Sequence, residues 1–284
     1  MGGAAPQARR QIDLGGTRVD LIRIGTFRSD AGAIFGPVPR TTWEPLVRTE
    51  IDADSRLLQA LNLLHVTTPS RSILLETGLL AAGTARDDAE IQSLAAREAL
   101  LAGRVDIERI SRVVPSHLHR DHAGGLANER GEAAFPGAVV VAPRGEIEAV
   151  ASDSLRARAA YDTATLRKLF REAEPQVYET TLSLDSAVEL RALGGHTPGS
   201  QATIIRGTSR TLLFLGDLFM RPWQANPRWV TSYDDQAWIS VDAKATIFAE
   251  AAREQWLVAL SHEVNTPLGR IEREGERFRF VAEW

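Results

Sequence analysis

The sequence predicts an α/β fold built as a four-layer αββα sandwich, with two sheets face to face and helices on both outer sides. Three observations lead there. Short β-branched and Leu-rich runs alternate with segments of helical spacing along the chain. Both halves carry similar βα content, and each resulting sheet must bury one face against the other. The polar segments that begin at Ser116, Gly194, Gly216 and Ser261 each follow a predicted strand, so histidines and an aspartate collect at strand ends.

Taken in order, Met1–Gln11 is Gly/Ala-rich and reads as a frayed tail ahead of a single domain over 12–284. Strands are expected over 17–27, 59–67 and 72–76, where apolar runs are separated by Gly, Pro and Ser. The spacing of Ala, Leu and Glu predicts a helix over 87–102, closed by Gly103. A buried strand over 110–115 then leads into Ser116-His117-Leu118-His119-Arg120-Asp121-His122. The second half predicts strands over 138–142, 176–178, 187–193, 202–206, 211–215 and 256–260, with helices over 143–152, 155–172 and 242–254.

The composition narrows the chemistry. With 284 residues and 44% hydrophobic content the chain can bury a sizeable core. Its 33 basic and 37 acidic residues, a formal charge of −4, give no field suited to a nucleic-acid backbone. Cysteine is absent, so any metal site must be built from nitrogen and oxygen ligands. The apolar runs are shorter than the roughly 20 residues of a membrane helix, and the start lacks a secretory pattern. A cytoplasmic location without nucleic-acid or membrane partners is therefore expected.

The window 117–122 holds three of the six histidines together with Asp121. In extended chain His117 and His119 face one side while Leu118 faces the other, and Gly124-Gly125 allows the tight turn that aims Asp121 and His122 back at the same cavity. Such a crowd of polar groups needs a partner. Asp217 ends the apolar run 212–215, where a buried carboxylate is costly unless a cation or a set of donors meets it. His196 projects from the Gly194-Gly195-His196-Thr197-Pro198-Gly199 turn, and His262 follows the strand over 256–260. His65 lies in an apolar run without an acidic or histidine neighbour and is read as a packing residue.

The ordered set SHLHRDH, GGHTPG, FLGD and SH, spread over 116–262, resembles the metallo-β-lactamase superfamily. The resemblance implies a first metal on His117, His119 and His196, a second on Asp121, His122 and His262, and Asp217 bridging them. Zn²⁺ suits this donor set; Mn²⁺ and Fe²⁺ also fit it. Two metals about 3.5–4 Å apart would generate a bridging hydroxide nucleophile at neutral pH, with Asp121 orienting it and Asp217 as the second catalytic carboxylate. The opening segment 25–32, Phe35-Gly36-Pro37-Val38-Pro39, Trp43, the run 216–224 and Arg277-Phe278-Arg279-Phe280 are similar to a bacterial lactonase and methyl-parathion-hydrolase-like subgroup. That similarity implies a homodimer.

Three positions depart from the pattern. Met220 stands where the subgroup places a substrate-contacting Tyr or His, and a thioether cannot donate a hydrogen bond. Glu76 replaces an Asp that supports a ligating histidine from behind, and Ser200 replaces a histidine. Phe27, Phe35, Trp43, Phe219, Met220 and Trp223 are candidates for an apolar substrate mouth, and Arg28, Arg40 and Arg221 for contact with an anionic group. Trp229, Trp238 and Trp256 are assigned to packing. The leading expectation is hydrolysis of a small hydrophobic lactone or ester. The alternatives are a phosphotriesterase and, in a different class, a metal-binding module without catalysis. A redox diiron role is disfavoured because His119 occupies a position where that branch has a carboxylate, and a nuclease role by the net acidic charge.

Overall fold

The computed structural model of the chain describes residues 9–79 and 91–283. The first half forms β1 (Arg9–Asp13), β2 (Arg18–Asp30), β3 (Arg56–Thr67), β4 (Ser72–Leu75), β5 (Gln92–Ser93), β6 (Ile110–Val114), β7 (Val139–Pro143) and β8 (Gln176–Tyr178). These make one sheet in the order β1-β2-β3-β4-β6-β7-β8, with β5 beside β2. The second half adds β9 (Thr181–Ser183), β10 (Val188–Ala192), β11 (Gln201–Arg206), β12 (Thr211–Phe214), β13 (Leu257–Ala259), β14 (Leu268–Glu274) and β15 (Arg277–Ala282). They form the second sheet, from β15 through to β9 in reverse order.

The helices are α1 (Ala31–Phe35), α2 (Arg40–Val47), α3 (Ala96–Ala102), α4 (Arg120–Ala123), α5 (Arg144–Ala151), α6 (Leu155–Ala160), α7 (Thr163–Glu172) and α8 (Ala237–Arg253). Three cores show the layering. Leu21, Leu64, Leu75 and Val141 of one sheet interlock with Leu190, Ile205, Phe214 and Leu257 of the other. Outside the first sheet, Leu63 and Leu74 pack on Leu100, Val150 and Leu166 from the helices; outside the second, Ile204 and Leu213 pack on Ile247 and Phe248 of α8. This is the expected αββα sandwich.

Several boundaries differ from expectation. Residues 9–11 belong to edge strand β1 rather than to a tail, because Arg9 and Gln11 bond Asp20 on β2; residues 1–8 lie outside the described residues. Of the helix expected over 87–102, residues 87–90 also lie outside them, and the helix begins only at Ala96, after β5. The helix expected over 155–172 is two, since Tyr161 leaves helical geometry and the Asp162 side chain caps α7. The segment 115–119 is a run of bends rather than continued strand, for Pro115 ends the ladder. Helices α1 and α2, strand β9 and the β14–β15 hairpin were not anticipated as elements.

Five of the proposed substrate residues are core instead. Phe35 stacks on Trp43 with ring centroids 4.8 Å apart and meets Trp223 at 4.2 Å. Met220 is buried in the same cluster, which fastens α1 and α2 over Leu57. Phe219 faces Phe248 and Phe280 in the α8 core. A one-dimensional reading cannot separate an apolar cavity wall from an apolar core, because both use the same residues. Trp229 and Trp256 do pack, but Trp238 is 71% exposed.

His65 has an acidic neighbour after all. Antiparallel pairing of β2 and β3 sets Asp20 opposite His65, and the His65 Nε2 atom lies 2.8 Å from Ser72 Oγ. Burial pushes the Asp20 pKa up, but contacts with His65, Arg9 and Gln11 outweigh it and hold the carboxyl well below the usual carboxylate range. Its stabilisation is therefore complete above the unfolded pKa, about 3.9, and is lost as pH falls below that toward the folded value. In denaturant titrations the stability difference between wild type and Asp20→Asn should be largest near neutral pH and shrink below about pH 4. Phe35→Ala should lower unfolding free energy by about 3–5 kcal/mol through loss of packing around Trp43 and Trp223.

Candidate metal centre

The cluster assembles at the end of the sandwich where β6, β12 and β13 finish. The exit of β6 carries His117 and His119, α4 carries Asp121 and His122, the β10–β11 turn carries His196, the β12 exit carries Asp217, and the β13 exit carries His262. Two backbone features bring these loops together. Gly125 passes so close to the Thr77 carbonyl that a Cβ there would sit 2.3 Å from its oxygen. Gly216 has φ +52°, and an added Cβ would collide with Ser116, the residue ahead of His117.

All seven expected ligand residues converge. The ligand atoms of His117, His119 and His196 lie within 4.8 Å of one another, and so do those of Asp121, His122, Asp217 and His262. Rings of His117 and His119 are 4.5 Å apart by centroid, those of His117 and His122 are 4.1 Å apart, and His196 Nε2 is 3.3 Å from His119 Nδ1. Asp217 stands between the groups. Its Oδ1 is 3.2 Å from His122 Nε2 and 3.0 Å from His262 Nε2, while Oδ2 turns toward His196 Nε2 at 3.7 Å. Asp121 Oδ2 is 3.7 Å from His122 Nε2 and 3.6 Å from His262 Nε2.

The ring nitrogens on the far side are held by the protein. Ser116 Oγ meets His117 Nδ1 at 3.0 Å, Glu76 Oε2 meets His122 Nδ1 at 3.0 Å, Asp234 Oδ1 meets His196 Nδ1 at 3.0 Å, and the Ala60 carbonyl meets His262 Nδ1 at 2.8 Å. The opposite nitrogens, Nε2 of His117, His122 and His262, are buried without a hydrogen-bond partner. Buried polar atoms are normally satisfied, so these orphaned nitrogens, one in the first group and two in the second, fit cations that would supply the missing partners.

Burial and the neighbouring imidazoles push the pKa values of His117 and His119 well below that of free histidine, which leaves both rings neutral and ready as ligands. Burial also pushes His122 down, but the carboxylates of Asp217, Glu76 and Asp121 outweigh it and hold that ring well above the ordinary value. Burial raises Asp217, yet His262 and His122 together keep its carboxyl well below the usual range. The second group is thus a pocket of negative charge that favours a cation.

Glu76 occupies the supporting position expected of it. Its backbone is left-handed, φ +67°, a conformation costly for a non-glycine residue, and this turns the carboxylate so that Oε1 accepts from Ser116 N at 2.9 Å while Oε2 faces His122. Two supports went unanticipated. Asp234 lies in a loop distant in sequence from His196, with no local signal beyond the acidic pair 234–235. Glu146, fully buried in α5, accepts from Leu118 N at 2.7 Å, from Thr197 Oγ1 at 2.5 Å and from Gly199 N at 3.1 Å. It thereby staples the loop of His117 and His119 to the loop of His196.

A cavity of about 490 Å³ opens onto His119, Asp121, His196, Asp217 and His262. Of the six residues proposed for its wall only Phe27 is there, edge-on to His262 with centroids 5.3 Å apart. Ile34, Gln59, Ala160, Tyr161 and Tyr233 supply other parts of the wall. The three candidate arginines are engaged elsewhere: Arg221 is buried on Glu50 and Glu263, Arg28 bonds the carbonyls of Glu50 and Arg56, and Arg40 pairs with Glu44. Arg156 lines the cavity instead, paired with Asp235.

Residues 66–262 match the family model of the metallo-beta-lactamase superfamily. The chain belongs to this superfamily. Among solved structures, its fold is similar to that of a probable metal-dependent hydrolase from Staphylococcus aureus, with TM-score 0.84 and 20% identity over 96% of this chain and 99% of that one. It is similar also to AidC, a dizinc quorum-quenching lactonase in complex with a product, at TM-score 0.82 and 19% identity over 98% of both chains. The hydrolase AbOPH of the beta lactamase superfamily aligns at TM-score 0.83 and 17% identity over 97% of both chains. A search of curated proteins finds no match to the chain. No helix among the described residues is long and apolar enough to cross a membrane.

Glu76→Gln and Asp234→Asn should each weaken metal affinity by about 10–100-fold with secondary structure retained. Competition against a chromophoric chelator checks this, and affinity equal to wild type in both would remove the supporting role.

Proposed function

We propose that the chain is a metal-dependent hydrolase that cleaves small neutral esters or lactones at a two-cation centre. The observation that carries the reading is the placement of Asp217, whose two oxygens face His122 and His262 on one side and His196 on the other. His117, His119 and His196 would hold one ion, Asp121, His122 and His262 a second, with Asp217 shared. The nitrogen and oxygen donors suit Zn²⁺, and Mn²⁺ or Fe²⁺ fit the same set. Such ions, when bound, supply Lewis-acid polarisation of a carbonyl or phosphoryl oxygen and ionise water near neutral pH.

The chain's own residues do the positioning. Asp121 is partly open to the cavity and stands beside His262, where its carboxylate accepts a hydrogen bond from the attacking water. Phe27, Ile34 and Ala160 form the apolar part of the wall, suited to an acyl or alkyl group. The Arg156 charge is matched by Asp235, so this wall offers no unbalanced cation to an anionic substrate. That supports neutral esters, lactones or phosphotriesters over phosphate monoesters and diesters.

Metal-loaded protein should hydrolyse aryl esters and lactones with higher kcat/KM than paraoxon-type phosphotriesters. The opposite order would make it a phosphotriesterase, and two equivalents of metal with no turnover on the whole panel would make it a metal-binding module. His117→Ala should reduce bound metal below two equivalents and lower kcat/KM by more than ~100-fold, since a direct ligand matters more than its support. Full metal content in that variant would overturn the ligand assignment.

A further inference from the structure

Among the described residues of the cavity wall, Tyr233 presents a phenol with no hydrogen-bond partner on a backbone fixed from both sides. Tyr233 lines the cavity together with Asp121, Asp217 and His262. It is 43% exposed, and its only hydrogen bonds run through the backbone. Its neighbours fix that backbone against the metal centre. Ser232 N donates to the Ala33 carbonyl at 2.8 Å, Tyr233 N donates to Thr231 Oγ1 at 3.1 Å, and the Tyr233 carbonyl accepts from Arg156 Nη2 at 2.7 Å. On the other side Asp234 bonds His196, Asp235 N donates to the His196 carbonyl at 3.0 Å, and Gln236 N donates to the Gly195 carbonyl at 2.9 Å. The loop is thus bolted to a candidate ligand, while the phenol stays unbonded at the cavity.

We propose that Tyr233 is a substrate-contacting catalytic residue whose phenol hydrogen-bonds the oxygen that leaves when the ester or lactone bond breaks. This role rests on the hydrolase reading above. The hydroxyl of water adds to the acyl carbon, the acyl carbon–oxygen bond breaks, and the proton from water ends on the departing oxygen. The phenol stabilises the negative charge on that oxygen and is itself unchanged, so no further reactant is consumed. A departing alkoxide needs such a donor, whereas a nitrophenolate does not.

The other hydroxyls in the wall are less suited. The Tyr161 ring borders the cavity, but its hydroxyl is buried behind it. Ser29 Oγ accepts from Gln59 at 2.7 Å, and both Ser29 and Ser232 carry alcohols, which are weaker acids than a phenol. Burial first, and then the Asp30 and Asp121 carboxylates, raise the pKa of Tyr233, so the phenol keeps its proton at neutral pH and stays a donor on the Asp121 side of the centre.

The test is Tyr233→Phe in metal-loaded protein, assayed on two esters that share an acyl group, one releasing a nitrophenol and one a simple alcohol. The role predicts a fall in kcat of about 10–100-fold for the alcohol ester and for a lactone, and less than about threefold for the nitrophenyl ester. Metal content and denaturation midpoint should match wild type, and Tyr233→His, which restores an N–H donor, should recover part of the lost rate. Affinity for a hydroxy-acid product, measured by calorimetry, should weaken by about tenfold in Tyr233→Phe, the loss of roughly one hydrogen bond. Equal rate losses on both esters, or none on either, would overturn the role of Tyr233 and leave the hydrolase reading standing. A wild-type protein inactive on every ester and lactone would overturn both.

Discussion

Burying five imidazoles and the Asp217 carboxylate at one end of a sandwich, with Asp121 at the edge, is unfavourable unless something compensates, and that constraint organises the rest of the structure. Polar groups taken out of water need partners, and here the partners are supplied on the outer side only. Ser116, Glu76, Asp234 and the Ala60 carbonyl hold one nitrogen of each supported ring and leave the other aimed inward. The cation pair proposed for the centre would complete the set. The protein thereby spends strain and charge burial, including a left-handed Glu76, on keeping a centre that an apolar core would not need.

The support is distributed over distant loops because no single element could supply it. Glu146 joins the loops of His117 and His196 from beneath, and Asp234 and Asp235 join the His196 turn to the loop that carries Tyr233. Arg221, buried between Glu50 and Glu263, fastens the segment after His262 to the first half of the chain, and its Nη1 donates to the Leu58 carbonyl at 2.9 Å. Each bond ties a ligand loop to rigid framework, so the geometry of the centre is inherited from the two sheets. The aromatic cluster of Phe35, Trp43 and Trp223 has a related duty, for it anchors the segment after Asp217.

The cavity differs from the centre in how it is made. Its wall combines the end of β2 at Phe27 and Ser29, the break between α6 and α7 at Tyr161, and the loop around Tyr233. Of these segments only the first, within 25–32, carries a motif in the sequence. Phe27 and Phe35 are both aromatic and eight residues apart, yet one faces the cavity and the other is core, because α1 turns the chain away between them.

By itself the sequence determined the layered α/β class, most strand positions and all seven residues that converge on the centre. It could do so because strand runs are periodic, and because His117-Leu118-His119 and Asp121-His122 are too dense in polar groups to be packing. Tertiary structure alone decided which aromatics are wall, which arginine reaches the cavity, and that Glu146 and Asp234 stand behind the ligands. It also decided that His65 meets Asp20. The physical reason is the range of the interactions: a hydrophobic pattern and a ligand cluster are local in the chain, whereas a hydrogen bond between a loop at 234 and a turn at 196 exists only once two sheets have stacked.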